Sequence, residues 1–192
     1  PEGTAITGHF TFFIVNIVCV PRKISLAPVA PWVPITIKSI LYSLTQAKIS
    51  LTNKLNVVIL EETARTARDA ASSLKCEVGA IVKSLLFKTQ TNFILCLVAG
   101  DNRCSLNKLK KITDIKDISM ASPNEVKKQT GYTIGGVSPV GHNNKVEILI
   151  DNSLERFIDL YAAAGHPNCI FKINFNNLQK ITNGKVKELI EW

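Results

Sequence analysis

A chain of 192 residues, 46% apolar and 20% charged, has the composition of a folded domain with a buried core, which excludes a disordered polymer. Its net charge of +8 favours a polyanionic partner, either nucleic acid or an anionic membrane surface, although the lysines form no long run. Five cysteines without Cys-x-x-Cys spacing and three scattered histidines supply neither a zinc pattern nor a thioredoxin-type motif, so no metal or cofactor is expected and the thiols read as reduced, in a cytoplasmic protein.

Residues 1–35 differ from the rest. Phe10 to Val20 is apolar, but eleven residues cannot cross a bilayer of about 30 Å as a helix. The basic residues follow this run instead of preceding it, against a signal peptide, and Pro28, Pro31 and Pro34 forbid a continuous helix. The segment reads as a poorly ordered extension or a mis-called start, with no stable membrane association. From Thr36 the pattern becomes regular: Ile37, Ile40, Leu41 and Leu44 lie on one helical face. Asn56 to Leu60 reads as a strand. Thr66 and Asp69 have capping-box spacing and open a helix from Ala67 to Leu74.

A helical turn is expected over Val78 to Val82, then strands over Lys83 to Lys88 and Asn92 to Val98. A basic helix comes next on Leu106, Leu109 and Ile112, and a short strand on Ile118 to Ala121. The best-marked boundary is Ser122-Pro123-Asn124-Glu125: an N-cap, a proline at the first helical position and a box-closing glutamate. That helix should stop at Gly131. Lys145 to Ile150 reads as a strand, Ser153 to Ala164 as a helix stopped by Gly165, Cys169 to Ile173 as a strand, Asn176 to Ile181 as a helix, and Val186 to Ile190 as a last short element. This irregular mixture predicts an α+β or mixed α/β fold on one sheet, without internal repeats.

Two stretches draw attention as chemistry. Gly131 to Gly141 holds four of the ten glycines, and glycine lets a backbone take positive φ and approach a ligand closely; the bland alternative is a turn. Ile81-Val82-Lys83-Ser84-Leu85-Leu86-Phe87 places a lysine in an apolar run. Lys83 is either the outward residue of an alternating strand or a partly desolvated ammonium serving phosphate or a developing oxyanion, and Ser84 points to the opposite face if the segment is extended. His166, after a helix stop, is either a loop residue bonded to a carbonyl or a substrate-orienting group, and His142 reads as a surface residue. Asp151 ends a strand and either caps the next helix or acts in the site. Nothing near Cys76 or Cys104 suggests a lowered thiol pKa. No hydrolase triad, phosphate-binding loop or dinucleotide fingerprint appears.

Four blocks in order, Thr66 to Ala71, Val78 to Phe87, Thr130 to Gly141 and Ala164 to Pro167, resemble the YbaK/ProX-type aminoacyl-tRNA deacylases, free-standing relatives of the editing domain of bacterial prolyl-tRNA synthetase. The likeness covers residues 36–192. It implies one partly barrel-like mixed sheet surrounded by helices, and hydrolysis of the ester joining a small wrong amino acid to tRNA for proline. Aminoacyl-tRNA would be bound by its acceptor end, with prolyl-tRNA synthetase as a further partner; a non-catalytic tRNA- or synthetase-binding module is the alternative. The resemblance also implies roles for Lys83 at the acceptor end, for Gly135 and Gly136 at the reacting carbonyl, and for Ser84, Val137, Ser138, Pro139, His166 and Asp151 in the substrate pocket. Ser84 departs from the asparagine or threonine that the family's alanine- and cysteine-type members carry there. Tyr132 and Phe87 are candidates for stacking on the acceptor end, or core residues.

Overall fold

The computed structural model describes residues 55–60 and 66–191. The expectations for residues 1–35 and for the helix after Thr36 lie outside them. Strand β1 is Val57–Ile59 and helix α1 is Ala67–Leu74. The Thr66–Asp69 capping box is present in both directions, and the chain leaves α1 through Lys75 in the left-handed region. A single 3-10 turn, Val78–Ala80, leads into β2 (Ile81–Lys88), so the strand begins two residues earlier than its sequence suggested. Then come β3 (Phe93–Ala99), α2 (Leu106–Thr113), β4 (Ser119–Met120) and α3 (Pro123–Thr130), which carries the second full capping box, Ser122 with Glu125. Gly131, at φ +83°, stops α3 as expected.

Beyond the glycine-rich loop lie β5 (Glu147–Asp151), a 3-10 segment (Asn152–Arg156), β6 (Leu160–Ala163), β7 (Cys169–Ile173), α4 (Phe175–Thr182) and β8 (Lys185–Lys187). The helix expected over Ser153 to Ala164 is therefore a correction. Its apolar residues fit a 3.6-residue period, but Ile158, which a helix would bury, is 89% exposed. Leu160 and Ala162 are instead buried in strand alternation, because β6 fills a place in the sheet between β7 and β2.

The sheet has the order β1-β7-β6-β2-β3-β5-β8, with β4 added against β2. It is mixed: β2 runs antiparallel to β3 but parallel to β6, and β3, β5 and β8 pair in parallel. Helices and the glycine-rich loop cover it. One face buries the larger core, with Val82 and Leu86 of β2, Leu95 and Leu97 of β3, Phe171 of β7, Val126 of α3 and Leu178 of α4. The opposite face buries Phe87, Cys96, Val98, Leu149, Leu189 and Leu109 of α2. Helix α1 packs Ala70 and Ala71 on Ile81 and Ile170 as a third cluster. Among the described residues no helix is long and apolar enough to cross a membrane.

Candidate active site

The centre of the molecule is strand β2, and its two edges differ. β3 pairs with it from Val82 to Lys88. On the other edge β6 covers only Ile81 and Val82, and β4 covers only Phe87 and Lys88. Among the described residues, the stretch from Lys83 to Leu85 has no strand beside it there. Alternate residues of a strand direct their N–H and C=O groups to the same edge. The Leu86 carbonyl faces this edge, accepting from Ala121 N–H at 3.0 Å, so the N–H and C=O of Ser84 face it too.

A cavity of about 340 Å³ lies at this gap. Lys83, Ser84 and Leu85 form one wall, and Ile134, Gly135 and Val137 of the glycine-rich loop face them. Ala163 and Pro167 contribute further contacts, and among the described residues no aspartate or glutamate lines the space. The two stretches singled out in the sequence thus meet across one cavity.

The loop takes its shape from internal bonds. Thr133 to Gly136 form a turn in which Gly136 N–H donates to the Thr133 carbonyl at 2.9 Å and Gly135 takes φ +87°, a position that a β-carbon would strain. Gly136 matters by contact: a β-carbon there would lie 2.8 Å from the Cα of His166, so its absence lets this loop press against the 165–167 segment. Tyr132 is buried, and its hydroxyl donates to the carbonyls of Val140 (2.9 Å) and Gly141 (3.1 Å). Burial pushes its phenol up to about 12. His142 Nε2 donates to the Ser138 carbonyl at 2.7 Å and its ring meets Tyr132 edge-on at 6.1 Å. Burial also holds that imidazole below its usual range, so His142 is a neutral brace of the loop and not the surface residue its sequence suggested.

Ser138 and Pro139 are buried in the loop, Ser138 Oγ accepting from Val140 N–H at 3.3 Å; neither lines the cavity. His166 Nδ1 accepts from Asn168 N–H at 3.1 Å, and it is the neighbouring Pro167, not His166, that reaches the cavity. Tyr132 and Phe87 are both core residues, at 5% and 1% exposure, which removes them as stacking platforms in this conformation.

Lys83 and Ser84 lie on opposite faces, as alternation requires. Ser84 shares the face of Val82 and Leu86, and Lys83 that of Phe87. The half-buried Lys83 ammonium donates to the carbonyl of Asn102, and burial lowers its pKa against a partly opposing pull from Asp101. Asn102 Nδ2 donates to Ser153 Oγ (3.2 Å), and Asp151, fully buried, accepts from the N–H groups of Ser153 (3.0 Å) and Leu189 (2.6 Å). Asp151 therefore sits outside the cavity, at the end of a chain of bonds that fixes the loop holding Lys83. Nothing in the sequence pointed to Asn102 or to the open β2 edge, since both depend on which strands become neighbours. Cys104 also differs from expectation: the Cys96 thiol hydrogen-bonds its sulfur and lowers its pKa, whereas burial raises that of Cys76.

Residues 61–181 match the family model described as the aminoacyl-tRNA editing domain. An uncharacterized protein of Bacillus subtilis (strain 168), YwhH, is 32% identical over 131 residues, 68% of this chain and 83% of that protein. The proline–tRNA ligase of Kosmotoga olearia is 38% identical over 87 residues, 45% of this chain but only 15% of the ligase. That of Bacillus subtilis is 30% identical over 113 residues, 58% of this chain and 20% of the ligase. Among solved structures, a "putative trans-editing enzyme for prolyl tRNA synthetase" superposes with a TM-score of 0.74 at 33% identity, covering 88% of this chain and all of that one.

Proposed function

The chain belongs to the aminoacyl-tRNA editing domain family, and from that premise we propose that it is a trans-editing hydrolase that cleaves the ester between a wrong, small amino acid and the terminal ribose of tRNA. The observation that carries the reading is the meeting of the open Lys83–Leu85 edge with the Gly135–Val137 loop across one cavity. We read residues 36–192 as the editing domain. Transfer RNA for proline is the proposed substrate and prolyl-tRNA synthetase a further partner, in the cytoplasm, because relatives of this chain are proline–tRNA ligases.

An aminoacyl ester is an activated acyl group with an alcohol leaving group, so no protein nucleophile is required. Water adds to the ester carbonyl, the negative charge gathers on the carbonyl oxygen, and the acyl–oxygen bond then breaks. The ribose oxygen regains a proton from the attacking water, and the amino acid leaves as its carboxylate with the water's other proton passing to solvent. This reaction needs placement and an oxyanion donor. Gly136 N–H is committed to Thr133, whereas among the described residues Ser84 N–H faces the gap without a ladder partner, and it is the proposed donor. The Lys83 charge, held beside the cavity by Asn102, favours the anionic intermediate and the phosphate of the acceptor end. The molecule's positive charge supplies the salt-dependent part of tRNA binding.

The test is deacylation of a panel of mischarged proline tRNAs by the wild-type chain and by Lys83→Ala. The variant is expected to lose about a hundredfold or more in rate while keeping its far-ultraviolet spectrum. Unchanged hydrolysis in a folded Lys83→Ala protein would sink the role given to the lysine, and wild-type binding of tRNA without hydrolysis would favour the non-catalytic module.

A further inference from the structure

Ser84 Oγ is buried from solvent and, among the described residues, has no hydrogen-bond partner. A buried hydroxyl left unpaired is costly, and where one occurs in a cavity wall it marks a place for a ligand's polar group. Ser84 also lines the cavity, and its side chain stands on the face of Val82 and Leu86, across from Val137. Among the described residues no hydrogen bond holds the hydroxyl in its present rotamer, so turning it toward a ligand's polar group breaks none of them.

The surroundings choose which polar group it would meet. The cavity wall is otherwise mostly apolar, with Ile81, Val82, Leu85, Ile134, Val137 and Ile170. Among the described residues no carboxylate lines it, so the substrate's charged α-ammonium would find no counter-ion from them beside Ser84. A neutral group that both donates and accepts suits a serine hydroxyl best. The backbone groups of Ser84 face along the sheet edge while its side chain projects from the sheet face. One residue can therefore hold the ester carbonyl with its N–H and read the amino-acid side chain with its Oγ.

We infer that the cavity selects amino acids carrying a side-chain hydroxyl, serine and threonine, through Ser84 Oγ. This inference rests on the hydrolase reading above. A site that hydrogen-bonds a substrate hydroxyl penalises the analogue lacking it, because its own polar group is then left unpaired.

The experiment compares kcat/KM of the full chain on proline tRNA charged with serine, threonine, alanine and cysteine. Serine and threonine are expected to be removed about ten- to a hundredfold faster than alanine, with cysteine, a weak hydrogen-bonding partner, between them. Ser84→Ala should bring the serine-to-alanine ratio to about one, and its thermal midpoint should equal or exceed that of the wild type because a buried hydroxyl without a partner among the described residues has been removed. Ser84→Cys, nearly isosteric, gives the same ratio test if the alanine variant folds poorly. A wild-type preference for alanine, no preference at all, or an equal loss on every substrate in Ser84→Ala would overturn the assignment while leaving the hydrolase reading standing. Failure to hydrolyse any of the four esters would overturn both.

Discussion

Lys83 combines two properties that are usually opposed: it is partly desolvated, and it remains a hydrogen-bonded cation. Burial is the first cause of its shift and lowers its pKa from the usual 10.5, with Asp101 pulling the other way. A base whose folded pKa is depressed is disfavoured as a cation in the native state. Folding stability from this group therefore rises as pH climbs through the lowered pKa towards the unfolded value. Activity that needs the ammonium has the opposite sign, being present below the lowered pKa and lost as pH passes through it. We expect single-turnover deacylation, corrected for spontaneous ester hydrolysis, to fall on the alkaline side before the ordinary lysine range. Lys83→Arg, whose guanidinium stays charged, should move that fall upward. A wild-type limb coinciding with that of the arginine variant would show that the lysine charge plays no part in the reaction.

The loop between α3 and β5 takes its shape from the absence of side chains at two positions. Gly135 supplies the positive φ of its turn, and Gly136 supplies the close approach to His166. The remaining stiffness comes from Tyr132 and His142, which tie the loop to itself. Gly136→Ala puts a methyl group against backbone, which cannot swing aside as a side-chain end would. Strain of this kind costs typically about 1–3 kcal/mol. The expected result is a thermal midpoint lower by several degrees, together with at least about a tenfold loss of deacylation, as Gly135 and Val137 are pushed out of place. A variant with wild-type melting and rate would show that the two loops do not need this contact.

At the scale of the whole molecule, Asp151 links the last strands to the centre. It accepts from the N–H groups of Ser153 and Leu189, so one carboxylate ties the 3-10 segment after β5 to the C-terminal segment whose Leu189 and Ile190 fill the second core. Through Ser153 and Asn102 the same chain of bonds reaches the carbonyl that holds Lys83. Asp151→Ala leaves two buried N–H groups unpaired and should lower unfolding free energy by about 3 kcal/mol or more, measured by urea denaturation. The effect on deacylation should be smaller than that of Lys83→Ala wherever the variant is folded, since Asp151 lies outside the cavity. A neutral substitution would mean that water replaces the carboxylate, and that the network does not position the lysine.

Local chemistry was enough to place α1 and α3, because each begins with a side chain that bonds its own first turn, Thr66 for one and Ser122 for the other, and α3 ends at Gly131, which takes positive φ. It also placed β7 to the residue, and it marked Lys83 and the glycine-rich loop as the stretches that chemistry would use. The segment from Ser153 to Ala164 could not be read in the same way. Its apolar spacing fits a helix, and only the empty place between β7 and β2 makes four of its residues a strand. The site divides along the same line. Which residues carry the polar groups is written in the sequence, but whether a group is engaged depends on partners remote along the chain. Gly136 is occupied by Thr133 within its own turn and was local in that sense. Ser84, by contrast, has an open edge among the described residues because β4 and β6 stop short of it, and its hydroxyl has no hydrogen-bond partner among them. Sequence fixes the donors and acceptors; tertiary structure decides which of them remain free to meet a substrate, since a hydrogen-bonding group is available only after every nearer partner has been counted.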